Sequence, residues 1–355
     1  MAFDIVSANI NFEQIRKIGN SEGRNSSVYL ARDIQLEGEF AVKEVKESTI
    51  KMNRQDYFQE ARILYSNRHV NIMPIQYACK KDDSVYFAMP YYKNGSLASM
   101  MEEKYLTVGE ILRYSLDILT GLNYIHSNGF VHLDLKPSNI LIDDTGRAVI
   151  TDFGLSQSLD ENGLTNQNRV YSKLYQEPEM FIINKRTIQS DIYQFGITLY
   201  RMCNGINILR KQITTNVGDM SKLEEFIKKG LIPDRKSYLP HIPNKLVKVV
   251  NKCISIDTSK RYDNVIEIMN DLSDIDENLN WKFIKTDGEI YSILGEKFEY
   301  SIRLIDNGEH ASIEVHKKNI NTQRSNQLHK LSIKDIDKNK IWNKELRDIF
   351  KSIKL

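Results

Sequence analysis

The sequence predicts an α+β chain in which strands and helices are segregated along the length instead of alternating. Three observations predict it: a strand-rich stretch over residues 12–91, a helix-patterned middle over 92–275, and a return to two-residue periodicity after residue 279. In the first stretch, YLARD and EFAVKEV face each other across residues 35–38, which predicts an antiparallel hairpin. A mixed polar and apolar segment at 55–66 predicts one inserted helix, and VYFAMPYY returns to strand sequence. In the middle, Ile111, Leu112, Tyr114, Ile118, Leu122 and Ile125 recur at spacings of three and four, the signature of one buried helix face, and YDNVIEIMNDL repeats the pattern.

In the last stretch, Phe298, Tyr300, Ile302 and Leu304 alternate with Glu299, Ser301 and Arg303, as a half-buried strand requires. Asn307-Gly308 is read as a hairpin turn leading into 311–316, and Asp287-Gly288 as a second one following 281–285. Beyond Ser332 a helix is expected with Trp342, Leu346, Ile349, Phe350 and Ile353 on one face. A small meander sheet closed by a terminal helix follows. No internal repeat or low-complexity segment stands out.

The totals leave most functions open. With 355 residues, 41% hydrophobic and 27% charged, the composition is that of a soluble globular chain. Its 49 Lys+Arg against 47 Asp+Glu make no overall demand for a polyanionic partner. Cys79, Cys203 and Cys253 are too dispersed for a metal site and, being odd in number, cannot all pair, so a reduced, cytoplasmic chain is expected. No apolar run approaches the roughly 20 residues that span a bilayer. From residue 317 to 355 there are 11 Lys+Arg against 4 Asp+Glu. Such an excess commonly means a solvated helix face; contact with nucleic acid or an anionic surface is the alternative.

Three separated segments fit one reaction. Phosphoryl transfer from ATP needs a held triphosphate, a metal to neutralise charge and a hydroxyl nucleophile in line. In VHLDLKPSN, Asp134 can accept the proton of an incoming hydroxyl, Lys136 can set a positive charge beside the transferring group, and Asn139 offers an amide oxygen suited to Mg2+. Thirteen residues after Asn139, Asp152 of ITDFG supplies a second metal carboxylate. Lys43 of AVKEV could hold the α and β phosphates, and Glu60, on the expected inserted helix, is placed to pair with it.

Taken together these residues resemble the eukaryotic-type serine/threonine protein kinase family over about three quarters of the chain. FAVKEV is similar to the strand carrying the ATP-holding Lys, HLDLKPSN to the catalytic loop and TDFG to the metal-binding turn. YSKLYQEPEM resembles the end of the activation segment, SDIYQFGITLY the buried helix beneath the catalytic loop, and DTSKRY an Arg-bearing segment near the domain's end. The six occur in the family's order.

The resemblance implies a bilobal kinase fold over 12–275, with the N-lobe at about 12–91 and the C-lobe at about 92–275, followed by a small α+β region over 279–355. It implies ATP with Mg2+ or Mn2+ as cofactors and proteins bearing Ser or Thr acceptors as substrates. It places Met89 at the back of the adenine pocket, Tyr91 in the hinge, and Val28, Ala41 and Leu141 around the base. It pairs Glu179 with Arg261 and lets Asp191 hold the backbone around His132, itself read as a packing residue. Lys136 and Ser172 occupy the places that mark Ser/Thr specificity, with Ser172 positioning the substrate.

Two departures qualify the match. The glycine-rich loop retains Gly19 and Gly23 but has Ser26 where a third glycine would stand, so weaker phosphate cradling is expected. Leu133 replaces the Arg that commonly binds an activation-segment phosphate and can form neither the ion pair nor its hydrogen bonds. Activity independent of that phosphate is expected. The competing reading is a kinase-like scaffold acting through the basic C-terminal region.

Overall fold

The computed structural model describes residues 11–18, 26–46, 69–153, 156–165, 173–182, 185–285, 288–308, 310–337 and 342–353. The strand-rich beginning forms a five-stranded antiparallel sheet in the order β1-β2-β3-β5-β4. Its strands are β1 (Phe12–Ile18), β2 (Ser26–Asp33), β3 (Glu39–Lys46), β4 (Tyr77–Lys81) and β5 (Ser84–Met89). The hairpin expected across residues 35–38 joins β2 to β3, with Val28 opposite Lys43 and Leu30 opposite Ala41. Asp33 starts its turn by accepting the amides of Gln35 and Leu36, both at 2.8 Å. The helix expected at 55–66 lies outside the described residues.

The helical part comprises α1 (Leu97–Glu103), α2 (Val108–Ser127), α3 (Ile188–Asn204), α4 (Ile208–Gln212), α5 (Leu223–Lys228), α6 (Asn244–Cys253) and α7 (Val265–Ser273). The α2 stripe read from the sequence is buried throughout, and a capping box between Thr107 and Glu110 starts the helix. By contrast α3 is buried on nearly every side, so its polar residues must find partners inside the protein. Gly196 lets α6 close on it: a Cβ there would stand 2.6 Å from both Cys253 Cβ and Ile254 Cγ2.

Two short ribbons pair β6 (Phe130–Val131) with β9 (Gln157–Ser158) and β7 (Ile140–Ile142) with β8 (Ala148–Ile150), and lie against α2 through β6 and β8. They fix both ends of residues 132–139, so the polar stretch of the sequence is a loop suspended between two strands.

The last region contains β10 (Lys282–Lys285), β11 (Glu289–Leu294), β12 (Phe298–Asn307), β13 (His310–Asn319), β14 (Ser325–Gln327), β15 (Ile333–Asp337) and α8 (Trp342–Ser352). The first five strands pair in sequence order, and β15 shares the outer side of β13 with β14. One turn differs from expectation. Asn307 completes the ladder opposite His310, and the positive φ of 86° falls on Gly308, so the loop begins one residue later than Asn307-Gly308. Glycine takes the left-handed position and leaves Asn307 free to extend the strand.

Leu346, Ile349 and Phe350 of α8 close this sheet, as the apolar stripe predicted. The buried face is shared, however: Phe283 also meets Tyr105 at 4.6 Å between ring centroids, and His241 lies 5.5 Å from Tyr291. A hydrogen bond of 2.8 Å from the Gly109 amide to the Leu279 carbonyl ties the junction to the start of α2. Among the described residues no helix is long and apolar enough to cross a membrane.

Candidate active site

The suspended loop is bonded from below by α3. Buried Asp191 accepts the amides of His132 at 2.8 Å and Leu133 at 2.7 Å, and its Oδ2 also meets His126 Nε2 at 2.8 Å. Burial alone would raise this carboxyl, but the His126 contact and the amide bonds hold it below the ordinary aspartate value. His132 is a packing residue, as expected. Its Nδ1 accepts the Asp134 amide at 3.3 Å, which leaves Nε2 to donate to the Thr151 carbonyl at 3.1 Å, and its ring meets the Phe153 ring edge-on at 4.9 Å. Leu133 has φ 67° and is buried with Val131, Leu159 and Ile188. A branched side chain in left-handed backbone costs energy that surrounding contacts must offset.

Three of the expected functional side chains converge on the loop. Lys136 Nζ lies 2.9 and 3.2 Å from the two oxygens of Asp134. Asn139, placed by the turn Pro137–Asn139, donates through Nδ2 to the Asp134 carbonyl at 2.9 Å and to its carboxylate at 2.8 Å. Burial pushes the Asp134 carboxyl up, and Lys136 offsets part of that effect. A base with a raised pKa accepts a proton more readily near neutrality.

Asp152, also in left-handed backbone at φ 66°, meets Lys43 Nζ at 2.8 Å. The Lys43 ammonium holds its carboxyl well below the usual carboxylate range. Both Nδ2 bonds of Asn139 go to Asp134, which turns Oδ1 the other way, and Asp152 keeps its carboxylate half-exposed. Two hard oxygen donors, one anionic and one neutral, are the kind of set that Mg2+ or Mn2+ takes together with phosphate oxygens and water.

The remaining expected residues divide into three groups. On the sheet, Ala41 is paired with Met89, Val28 lies on β2 and Leu141 on β7, and the Tyr91 hydroxyl accepts Arg16 at 3.1 Å. Glu179 and Arg261 form a two-pronged ion pair with both contacts at 2.7 Å, while Arg261 Nε donates to the Ser255 carbonyl at 2.8 Å. Gly19, Gly23, Glu60 and Ser172 lie outside the described residues, and Ser26 opens β2.

Two features escaped the sequence reading. Gln194 bonds the loop from beneath, and with Asp191 and Thr198 it makes a polar row spaced by three and four residues along α3. That spacing is legible in SDIYQFGIT. The second is Glu177 with Arg186, 3.2 Å apart, both side chains wholly removed from solvent. Only two charges nine residues apart announce it in the sequence. Burial pushes the Glu177 carboxyl up against the pull of Arg186. The Arg186 backbone exchanges hydrogen bonds with Thr165 at 3.0 and 3.2 Å.

Residues 12–272 match the protein kinase domain family, and the chain belongs to that family. It is similar to the serine/threonine-protein kinase PknD of Chlamydia muridarum, at 29% identity over 72% of this chain and 30% of that protein. It is also similar to the serine/threonine-protein kinase PrkC of Bacillus subtilis, at 28% over 74% and 40%, and to PknD of Protochlamydia amoebophila, at 26% over 86% and 35%. The chain thus spans about a third of the length of the curated relatives it matches.

Proposed function

We propose that this chain transfers the γ-phosphoryl group of Mg-ATP to Ser or Thr hydroxyls of protein substrates, including its own. The observation that carries the reading is the meeting of Asp134, Lys136 and Asn139 on one loop, with the Lys43–Asp152 pair supplied from β3 and the segment after β8. Asp134, with its raised carboxyl, accepts the hydroxyl proton as the new bond to phosphorus forms. Lys136 stands against the carboxylate and offers its ammonium to charge developing on the transferring group. Asn139 Oδ1 and the Asp152 carboxylate would hold the metal, which when bound neutralises phosphate charge and orients the triphosphate. Lys43 would lie between Asp152 and the α and β phosphates, with Glu60 as its further partner.

Lys136 and Ser172 support Ser/Thr over Tyr acceptors. The three free cysteines suit a reducing, cytoplasmic setting. Purified chain incubated with labelled ATP and Mg2+ should incorporate label on Ser or Thr, and Asp134→Ala should not. Nucleotide binding without transfer in the unaltered chain would instead favour the scaffold reading.

Control through a phosphate on the activation segment does not fit Leu133, which is buried among apolar side chains. Ser156 and Thr165 are buried, and Ser156 Oγ donates to the His132 carbonyl at 3.2 Å, which leaves little room for a phosphoryl group. Replacing Ser156, Ser158 and Thr165 singly should leave no variant that an acidic residue is needed to rescue. An inactive variant restored by Asp or Glu would end this reading. Ser172 stands apart, since it is assigned to substrate positioning.

A further inference from the structure

Gln194 is buried to 0% exposure in the middle of α3, and its amide is committed on both sides. Oε1 accepts the Leu135 amide at 2.9 Å, and Nε2 donates to the Leu133 carbonyl at 3.0 Å. Those two residues flank Asp134. The amide can point only one way, because exchanging its oxygen and nitrogen would set donor against donor and acceptor against acceptor in a buried site. Asp191 bonds the amides of His132 and Leu133 from the previous turn of the helix, and Thr198 Oγ1 donates to the Leu135 carbonyl at 3.4 Å from the next. Peptide groups on both sides of Asp134 are therefore bound to one helix.

We infer that Gln194 is a positioning residue: by bonding both neighbours of Asp134 it sets the direction of the carboxylate, fixing the loop from α3 and not through a phosphate contact at Leu133. The inference rests on the phosphoryl-transfer reading of Asp134. Its physical content is a restraint on rotation. Leu133 sits at φ 67°, where an unrestrained chain would relax toward an ordinary conformation and carry the next peptide with it. Bonds to the Leu133 carbonyl and the Leu135 amide oppose that relaxation. They also keep Asp134 within reach of Asn139 and Lys136.

Two variants of the full chain test the inference. Gln194→Leu keeps the approximate volume and removes both bonds; kcat should fall about 10- to 100-fold, as small misplacements of a reacting group do, while ATP affinity changes less than about twofold. Gln194→Glu keeps both bonds only when protonated, its O–H then donating to the Leu133 carbonyl and its C=O accepting the Leu135 amide. At about pH 8 the carboxylate would oppose that carbonyl, and burial raises its pKa, so the variant-to-wild-type ratio of kcat should climb as pH falls to about 6. The charged and ionisable groups around this site, Asp134, Lys136, His132, Asp191 and His126, are the same in both proteins, so the ratio reports the change at position 194 against a common surrounding.

A Gln194→Leu chain with kcat within twofold of wild type overturns the inference. So does a parallel loss of kcat and ATP binding, which would assign Gln194 to stability alone, or a Gln194→Glu ratio that does not rise on acidification. Wild-type chain that transfers no phosphoryl group would instead defeat the kinase reading. Hydrogen exchange of the Leu135 amide then decides the restraint by itself: faster exchange in Gln194→Leu supports it, and unchanged exchange overturns it.

Discussion

The loop over α3 and the C-terminal sheet are held in place by opposite means. Around Asp134 the contacts are directional, a set of bonds mostly between 2.7 and 3.4 Å from Asp191, Gln194, Thr198 and Asn139 to named backbone and carboxylate atoms. Around Tyr291 they are aromatic, with ring centroids of Tyr291 and Phe350 at 5.3 Å, Trp281 and Phe350 at 4.8 Å, and Phe283 and Tyr291 at 4.7 Å. The Tyr291 hydroxyl is buried there without a hydrogen-bond partner among the described residues. Hydrogen bonds contribute modest net stability but strict geometry, whereas apolar burial contributes stability with little directional demand. The difference separates what a residue does for the reaction from what it does for the fold.

Four measurements can break or sharpen that contrast. The largest effect is expected at Asp134→Asn, where loss of the proton acceptor should lower kcat by about 10²- to 10⁴-fold. The thermal midpoint should move little, and a large fall in it would erase the distinction. Next, Phe350→Ala should remove about 3–5 kcal/mol from the C-terminal region in denaturant unfolding, by lost burial and a residual cavity. The kcat of folded protein should change less than about twofold if this region takes no part in the chemistry.

The third measurement concerns His241, whose ring burial holds at a pKa of about 4, below the ordinary 6.5. The folded state therefore keeps it neutral where the unfolded chain binds a proton. Its contribution is present above 6.5 and declines as pH falls from 6.5 toward about 4, by up to about 3 kcal/mol. His241→Phe should flatten that part of the stability profile, and an unchanged slope would remove His241 as its cause. The smallest effect is at Thr107→Ala, where loss of the α2 cap should cost about 1 kcal/mol in thermal unfolding without altering kcat.

Residues to which the proposed chemistry assigns a side chain were legible because a role of that kind depends on residue identity. Asp134, Lys136, Asn139, Asp152 and Lys43 could be picked out by the charge or oxygen each would supply. Helix α2 was legible because burial of one face leaves a periodic trace. The restraints on the loop were harder to read, since the atoms they hold belong to the peptide backbone of His132, Leu133 and Leu135, which any sequence would provide. The left-handed backbone at Leu133 left no trace either, because leucine seldom adopts it. Glu177 and Arg186 read as two ordinary charges, and only packing makes them a buried pair. In the C-terminal region alternation gave the strands, but it could not divide one buried face between α8 and the aromatic surface of Tyr105 and His241.

The arrangement of strands along β13 bears on how this protein behaves in company. A sheet that ends on a long bare strand invites another chain to continue it. Here the ten-residue β13 is finished by two short strands, β14 and β15, which share its outer side and leave no long template. At the opposite border β10 has only four residues, and its exposed Lys282 and Lys285 bring positive charge to any strand that approaches. Crowding many copies together should thus give this sheet little tendency to extend edge to edge, even though it is built from sequence of high strand propensity.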